Sequence, residues 1–142
     1  MEPVYVVAGV VVDRARRKAL VARRRRDQHQ GDLWEYPGGK REPHESDAHA
    51  LQRELREELG ITVRAAEPLL SVEHSYPDKR VHLQFLVVTA FDGEPHGAEG
   101  QVVRWVDVAA LSDLAFPAAN AQVAGALEAW LGDQAGAEGE PG

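Results

Sequence analysis

Three glutamates, Glu54, Glu57 and Glu58, stand close together in the stretch GKREPHESDAHALQRELREELGI, residues 39–61. At about 100° per residue on a helix, Glu57 lies about 60° to one side of Glu54 and Glu58 about 40° to the other. The three carboxylates therefore share an arc of about 100°. It borders, rather than opposes, the apolar stripe of Leu51, Leu55 and Leu59 with Ala48. Like charges three or four residues apart cost a helix a few tenths of a kcal/mol per pair, and only Arg53 and Arg56 offset this locally. An acidic run of this kind is ordinarily a solvated face. The sharper reading is a cradle for hard divalent cations, because magnesium takes oxygen ligands at about 2.0–2.1 Å and bridges carboxylates to substrate phosphates. Gly38 and Gly39, just before the helix, let backbone carbonyls approach such an ion closely.

The elements that must position this helix follow from hydrophobic pattern and punctuation. Residues 4–12 form an apolar, β-branched run and predict a buried strand, followed by a polar turn over 13–18 and a returning strand over 19–22. Residues 28–32 predict a loop, and 34–36 a short extended piece stopped by Pro37-Gly38-Gly39. The helical pattern runs over 46–59 and is closed by Gly60. Residues 61–63, 69–74, 81–91 and 102–106 predict strands, 107–111 a helical turn, and 117–131 a second helix with Pro117 at its start. Residues 1–131 thus predict one domain, with a Gly-, Glu- and Pro-rich stretch over 132–142 expected as a disordered tail. Strands interleaved with two helices predict an α/β protein with a mixed sheet covered on both faces.

Composition narrows the function. The chain has 142 residues, 44% of them apolar and 27% charged, and so fits one packed domain. It has no cysteine, which removes disulfides, thiol nucleophiles, cysteine zinc sites and iron–sulfur clusters. Its longest apolar run, residues 4–12, is too short to span a bilayer, and Glu2 and Pro3 spoil a basic leader. A soluble, cytoplasmic protein without membrane association is expected. Sixteen basic against 23 acidic residues give a net charge of −7, which argues against stable nucleic-acid binding. The basic residues nevertheless crowd into 14–26, and the acidic ones into 42–58. That segregation suits a polyanion held through metal ions and steered by arginine. A solvated basic loop is the plainer alternative for 14–26. Histidines 44, 49, 74, 82 and 96 show no paired ligand spacing.

The stretch 39–61 matches, at every fixed position, a glycine, five residues, a glutamate, seven residues, then Arg-Glu-aliphatic-x-Glu-Glu-x-Gly-aliphatic. The positions are Gly39, Glu45, Arg53, Glu54, Leu55, Glu57, Glu58, Gly60 and Ile61. Chance would produce this in such a chain with odds on the order of 10⁻⁷. It is the signature of the Nudix hydrolases, which the sequence resembles from about residue 4 to residue 131. WEYPGGK (34–40), YPDKRVHLQF (76–85), GEPHGAEG (93–100) and FPAAN (116–120) resemble, in the same order, segments of the MutT-like pyrophosphohydrolases of that family.

The resemblance implies an α/β/α sandwich with a mixed central β-sheet. It also implies Mg²⁺-dependent hydrolysis of a nucleoside triphosphate to monophosphate and pyrophosphate, with Mn²⁺ as a substitute cation. Carried over by position, Glu54, Glu57, Glu58 and Glu99 with the Gly38 carbonyl match metal ligands, and Arg53 and Glu45 support them. Arg24 and His29 match positions near the substrate phosphates. Asn120 matches a reader of an oxidised guanine, with Tyr36, Tyr76, Asp78 and Lys79 around the base. Guanine oxidised at C8 gains an N–H at N7, and an amide side chain, acceptor and donor at once, can pair with that N–H and O6 together. Asn120 merely lining or capping the last helix is the alternative.

One carboxylate of the cluster is expected to serve as general base, Glu54 first and Glu99 as its rival. The implied substrate is 8-oxo-dGTP, with its ribonucleotide beside it, and the protein is expected to act as a monomer on free nucleotides. Lys79, His96 and Ala118 stand where the MutT-like pattern has arginine, tryptophan and proline. Residues 27–42 also resemble the CTP-type pyrophosphohydrolases, which makes a pyrimidine triphosphate the alternative substrate. A non-catalytic nucleotide-binding module is the alternative of a different class, disfavoured by the intact glutamates.

Overall fold

The computed structural model describes residues 3–23 and 33–139. Strand β1 (Val4–Asp13) lies at the centre of the sheet. Antiparallel to it run β2 (Lys18–Arg23), paired Val12 to Ala19, and the short β4 (Gly38–Lys40), paired Ala8 to Gly38. On its other side β6 (Lys79–Asp92) is parallel, from Val4 opposite Val81 to Val11 opposite Val88. Strand β5 (Thr62–Tyr76) pairs antiparallel with β6, while β3 (Trp34–Glu35) and β7 (Val103–Asp107) both pair with β2. One parallel junction among antiparallel ones makes the sheet mixed, as expected.

Alternation along the central strands divides the core in two. Val7, Val11, Leu20, Leu86 and Val88 face helix α1 (Asp47–Leu59), which contributes Ala50, Leu51, Leu55 and Leu59. Ala8, Val10, Val12, Ala19, Val21, Phe85 and Val87 face the opposite way, toward helix α2 (Val123–Gly139) with Val123, Leu127 and Leu131. Helices on both faces of one sheet make the α/β/α sandwich. No helix among the described residues is long and apolar enough to cross a membrane.

Several boundaries differ from the sequence-based expectation. The two strands expected over 61–63 and 69–74 are one, β5, running through Pro68 with register shifts near Ala65 and Leu70. Proline is tolerated there because β5 is an edge strand, so the missing amide breaks no central ladder. Gly38 and Gly39 pair with β1 instead of simply ending an extended piece. The second helix begins at Val123 rather than residue 117; a 3₁₀ turn over Ala118–Asn120 precedes it, with Pro117 before the turn. It continues to Gly139, past Gly132, through alanine, glutamine and glutamate residues that sustain a helix already begun. On α1, Ala48 is exposed and Ala50 occupies the buried place.

Candidate active site

Helix α1 is held at both ends, and its hold fixes where the glutamates stand. Ser46 caps the N-terminus, its Oγ accepting from the His49 N–H at 3.1 Å, and Arg41 Nη1 donates to Asp47 at 2.8 Å. Gly60 ends it in the left-handed conformation (φ 68°) that a side chain would strain, its N–H donating to the Arg56 carbonyl. The buried leucines dock the helix on β1 and leave Arg53, Glu54 and Glu58 partly covered at the edge of the interface, with Glu57 exposed.

Arg53 organises the near side. Its Nε and Nη2 donate to the two oxygens of Glu45, each at 2.8 Å, its Nη1 to Glu54 Oε1 at 2.9 Å, and its Nη2 also to the Lys40 carbonyl at 3.1 Å. The planar fork reaches a carboxylate on both oxygens, which a lysine does not reproduce. Those hydrogen bonds hold the Glu45 carboxyl down at about 2. The Glu54 carboxylate lies against Gly39 so closely that a Cβ there would stand 2.5 Å from it. Only glycine leaves room for that contact.

The far side is a cavity of about 290 Å³ lined by Arg23, Glu35, Pro37, Glu58, Glu99 and Gln101. Burial raises the Glu54 carboxyl, opposed by the Arg53 hydrogen bond and reinforced by the charges of Glu57 and Glu99. Glu58 is pushed up to about 8, first by burial, then by the charges of Glu54, Glu35 and Glu99; the Gly38 backbone amide, hydrogen-bonded to it, acts the other way. Glu58 Oε2 is buried with no hydrogen-bond partner among the described residues. An orphaned carboxylate oxygen amid other carboxylates is unfavourable in a bare protein. It fits a divalent cation, whose charge and oxygen affinity would satisfy it. Among the described residues no three such side chains converge tightly enough to enclose an ion.

A second cavity, of about 560 Å³, opens on the other side of Gly38 and Gly39, and Glu35 lines both. It brings together Tyr36, Tyr76, Asp78, Lys79 and Asn120, the five residues expected around a base. Tyr36 is buried, its ring stacked on Phe116 (5.0 Å, 7°) and edge-on to Phe85 (6.1 Å), so it serves as a rigid wall. Burial raises its hydroxyl proton affinity far above normal. Tyr76, Asp78 and Lys79 come from the β5–β6 hairpin, where Tyr76 pairs with Lys79 and the Lys79 ammonium lies 5.7 Å from the Tyr76 ring centre. Asn120 ends the 3₁₀ turn before α2 begins, so it lines the cavity and does not cap that helix. Arg24 and His29 fall outside the described residues. Glu35 and Gln101 escaped the sequence reading. A lone acid between Trp34 and Tyr36 was the one available signal for Glu35; nothing in the pattern marks Gln101.

A carboxylate-edged cleft beside a base-sized pocket is the arrangement of a nucleotide phosphoanhydride hydrolase. The NUDIX domain model matches residues 7–126. An 8-oxo-dGTP diphosphatase of Escherichia coli (strain K12) is 34% identical over 128 residues, 90% of this chain and 98% of that protein. A CTP pyrophosphohydrolase of the same organism is 38% identical over 105 residues, 74% of this chain and 76% of its own length. A solved MutT structure, from work on Aliivibrio salmonicida and Vibrio cholerae, superposes with a TM-score of 0.79 at 37% identity, covering 91% of this chain and 99% of that one. The chain belongs to the NUDIX domain family, as a MutT-like hydrolase. Divalent-cation dependence is general in that family.

Proposed function

We propose that the protein hydrolyses 8-oxo-dGTP, and its ribonucleotide, to the monophosphate and pyrophosphate, as a cytoplasmic monomer acting on free nucleotides. The observation that carries the reading is the 560 Å³ cavity beside Gly38 and Gly39, which combines an amide reader, Asn120, with aromatic walls next to the glutamate helix. In this account Glu54, Glu57, Glu58 and Glu99, with the Gly38 carbonyl, would hold Mg²⁺, or Mn²⁺ in its place. Bound there, the cation supplies charge neutralisation on the phosphoryl oxygens and a more acidic water. Arg53 orients Glu54 through the 2.9 Å hydrogen bond to Oε1. Glu54 then accepts the proton of the attacking water on its other oxygen, its basicity raised by burial. Arg24 and His29 steer the triphosphate. The Asn120 amide pairs with N7–H and O6 of the oxidised base, a match that unmodified guanine, with an acceptor at N7, does not offer.

A pyrimidine triphosphate is the second reading, supported by the CTP pyrophosphohydrolase relative and by Lys79 in place of a planar arginine at the pocket rim. The purified protein with Mg²⁺ and a panel of 8-oxo-dGTP, dGTP, dCTP and 5-methyl-dCTP separates them. Pyrophosphate release with the highest kcat/KM on 8-oxo-dGTP is expected. Preference for a pyrimidine would overturn the base assignment and keep the chemistry, and no release from any triphosphate would overturn both.

A further inference from the structure

The loop between β6 and β7 carries Glu99 to the end of α1, and its attachment there is specific. The Ala98 N–H donates to the Glu58 carbonyl at 3.0 Å and the His96 N–H to the Leu59 carbonyl at 3.1 Å. These bonds satisfy carbonyls that a helix C-terminus leaves without intrahelical partners. One side chain adds to them and does something they do not. Gln101 Nε2 donates to the same Glu58 carbonyl at 2.9 Å, while its Oε1 accepts the Glu99 N–H, also at 2.9 Å. The carboxamide thus bridges the main chain of Glu58 to the main chain of Glu99. It lines the cavity into which both glutamates face.

We propose that Gln101 is a positioning residue of the hydrolase. It fixes the distance between Glu58 and Glu99 without touching substrate or reacting atoms, and so sets how readily the two carboxylates act on one cation. The inference rests on the divalent-cation role given to those glutamates above. A side chain with donor and acceptor at one end is needed, because the two backbone groups it joins are an acceptor and a donor. Glutamate would keep the acceptor for the Glu99 N–H, but it would present no donor to the Glu58 carbonyl and would add a negative charge to a crowded site. Methionine has similar length and neither function. The Ala98 bond holds the neighbouring loop residue at the Glu58 carbonyl, and Gln101 adds a tie that reaches the main chain of Glu99 itself.

The test compares the parent with Gln101→Met and Gln101→Glu. In the metal-free protein, NMR amide exchange at Glu99 is expected to speed up about tenfold or more in Gln101→Met and to stay near the parent rate in Gln101→Glu. The Mn²⁺ concentration that half-saturates binding, followed by water-proton relaxation, should rise about fivefold or more in Gln101→Met, with kcat at saturating cation within about threefold. An unchanged Glu99 exchange rate together with unchanged Mn²⁺ affinity in Gln101→Met overturns the proposal. Should Gln101→Met fail to fold, the parent protein decides: NOEs from the Gln101 side-chain amide to the Glu99 or Ala98 backbone amides support the bridge, and their absence overturns it. A Glu57→Gln variant that retains full turnover would instead overturn the cation role, leaving the exchange result standing.

Discussion

Glu58 gives the sharpest perturbation. Its carboxyl is raised from an ordinary 4.5 to about 8 by burial and by neighbouring carboxylates. A group with a higher proton affinity folded than unfolded stabilises the fold fully below the unfolded value, and that contribution is lost as pH rises through the folded value. Without cations, the protein should therefore lose stability between pH 4.5 and about 8. At about 1.4 kcal/mol per pH unit, that interval sets a ceiling near ~5 kcal/mol. Water reaching part of the cleft reduces the expected effect to about 2 kcal/mol. Glu58→Gln removes the titration and keeps the shape and the acceptor for the Gly38 amide. In EDTA, urea denaturation should show parent and variant equally stable near pH 4.5 and the variant about 2 kcal/mol more stable near pH 8. Saturating Mg²⁺ should reverse the order at pH 8, because the parent, with all its carboxylate ligands, binds the cation more tightly and gains more stabilisation from it. A variant no more stable than the parent at pH 8 in EDTA would refute the reasoning.

Three further outcomes follow from the same geometry. Arg53→Ala should lower kcat/KM by about 10–100-fold, the usual cost of losing a group that orients ligands, and Arg53→Lys should recover only part of it; steady-state kinetics check this, and full recovery by lysine would contradict the role of the planar fork. Gly39→Ala places a methyl 2.5 Å from the Glu54 carboxylate, so activity should fall at least about tenfold by displacement of that group. Circular dichroism should show the Gly39→Ala fold retained. Asn120→Ala should cut the preference for 8-oxo-dGTP over dGTP by about 10–100-fold, the range for a buried hydrogen bond lost to the favoured base; equal losses on both substrates would remove Asn120 from base discrimination.

The sequence made the carboxylate helix legible because two periodicities coincide there. Leucines at 51, 55 and 59 dictate which face docks, and the glutamate spacing then decides which carboxylates border it. The continuous apolar run over 4–12 and the interleaving of strands with two helices likewise announced a sheet covered on both faces. The single β5 was hidden because residues 64–68, Arg-Ala-Ala-Glu-Pro, hold no β-branched or aromatic residue and end in proline; pairing with β6 overrides that local signal. The start of α2 was misplaced because Pro117 suits a helix start and a 3₁₀ turn equally. At the site, a side chain acting through its own chemistry leaves a motif, whereas Gln101 acts by joining two backbone groups across the fold. Contacts of that kind arise only once the loop meets the helix. Glu35 enters the site in the same way, through the pairing of Ala22 with Glu35.

The most direct measurement is anomalous scattering from a crystal of the protein with Mn²⁺ and a non-hydrolysable triphosphate analogue. The account predicts one or more metal peaks at about 2.0–2.2 Å from oxygens of Glu54, Glu57 and Glu58, each also bonded to a phosphate oxygen. Peaks lying elsewhere, with the glutamates turned to solvent and the triphosphate bound away from them, would contradict it.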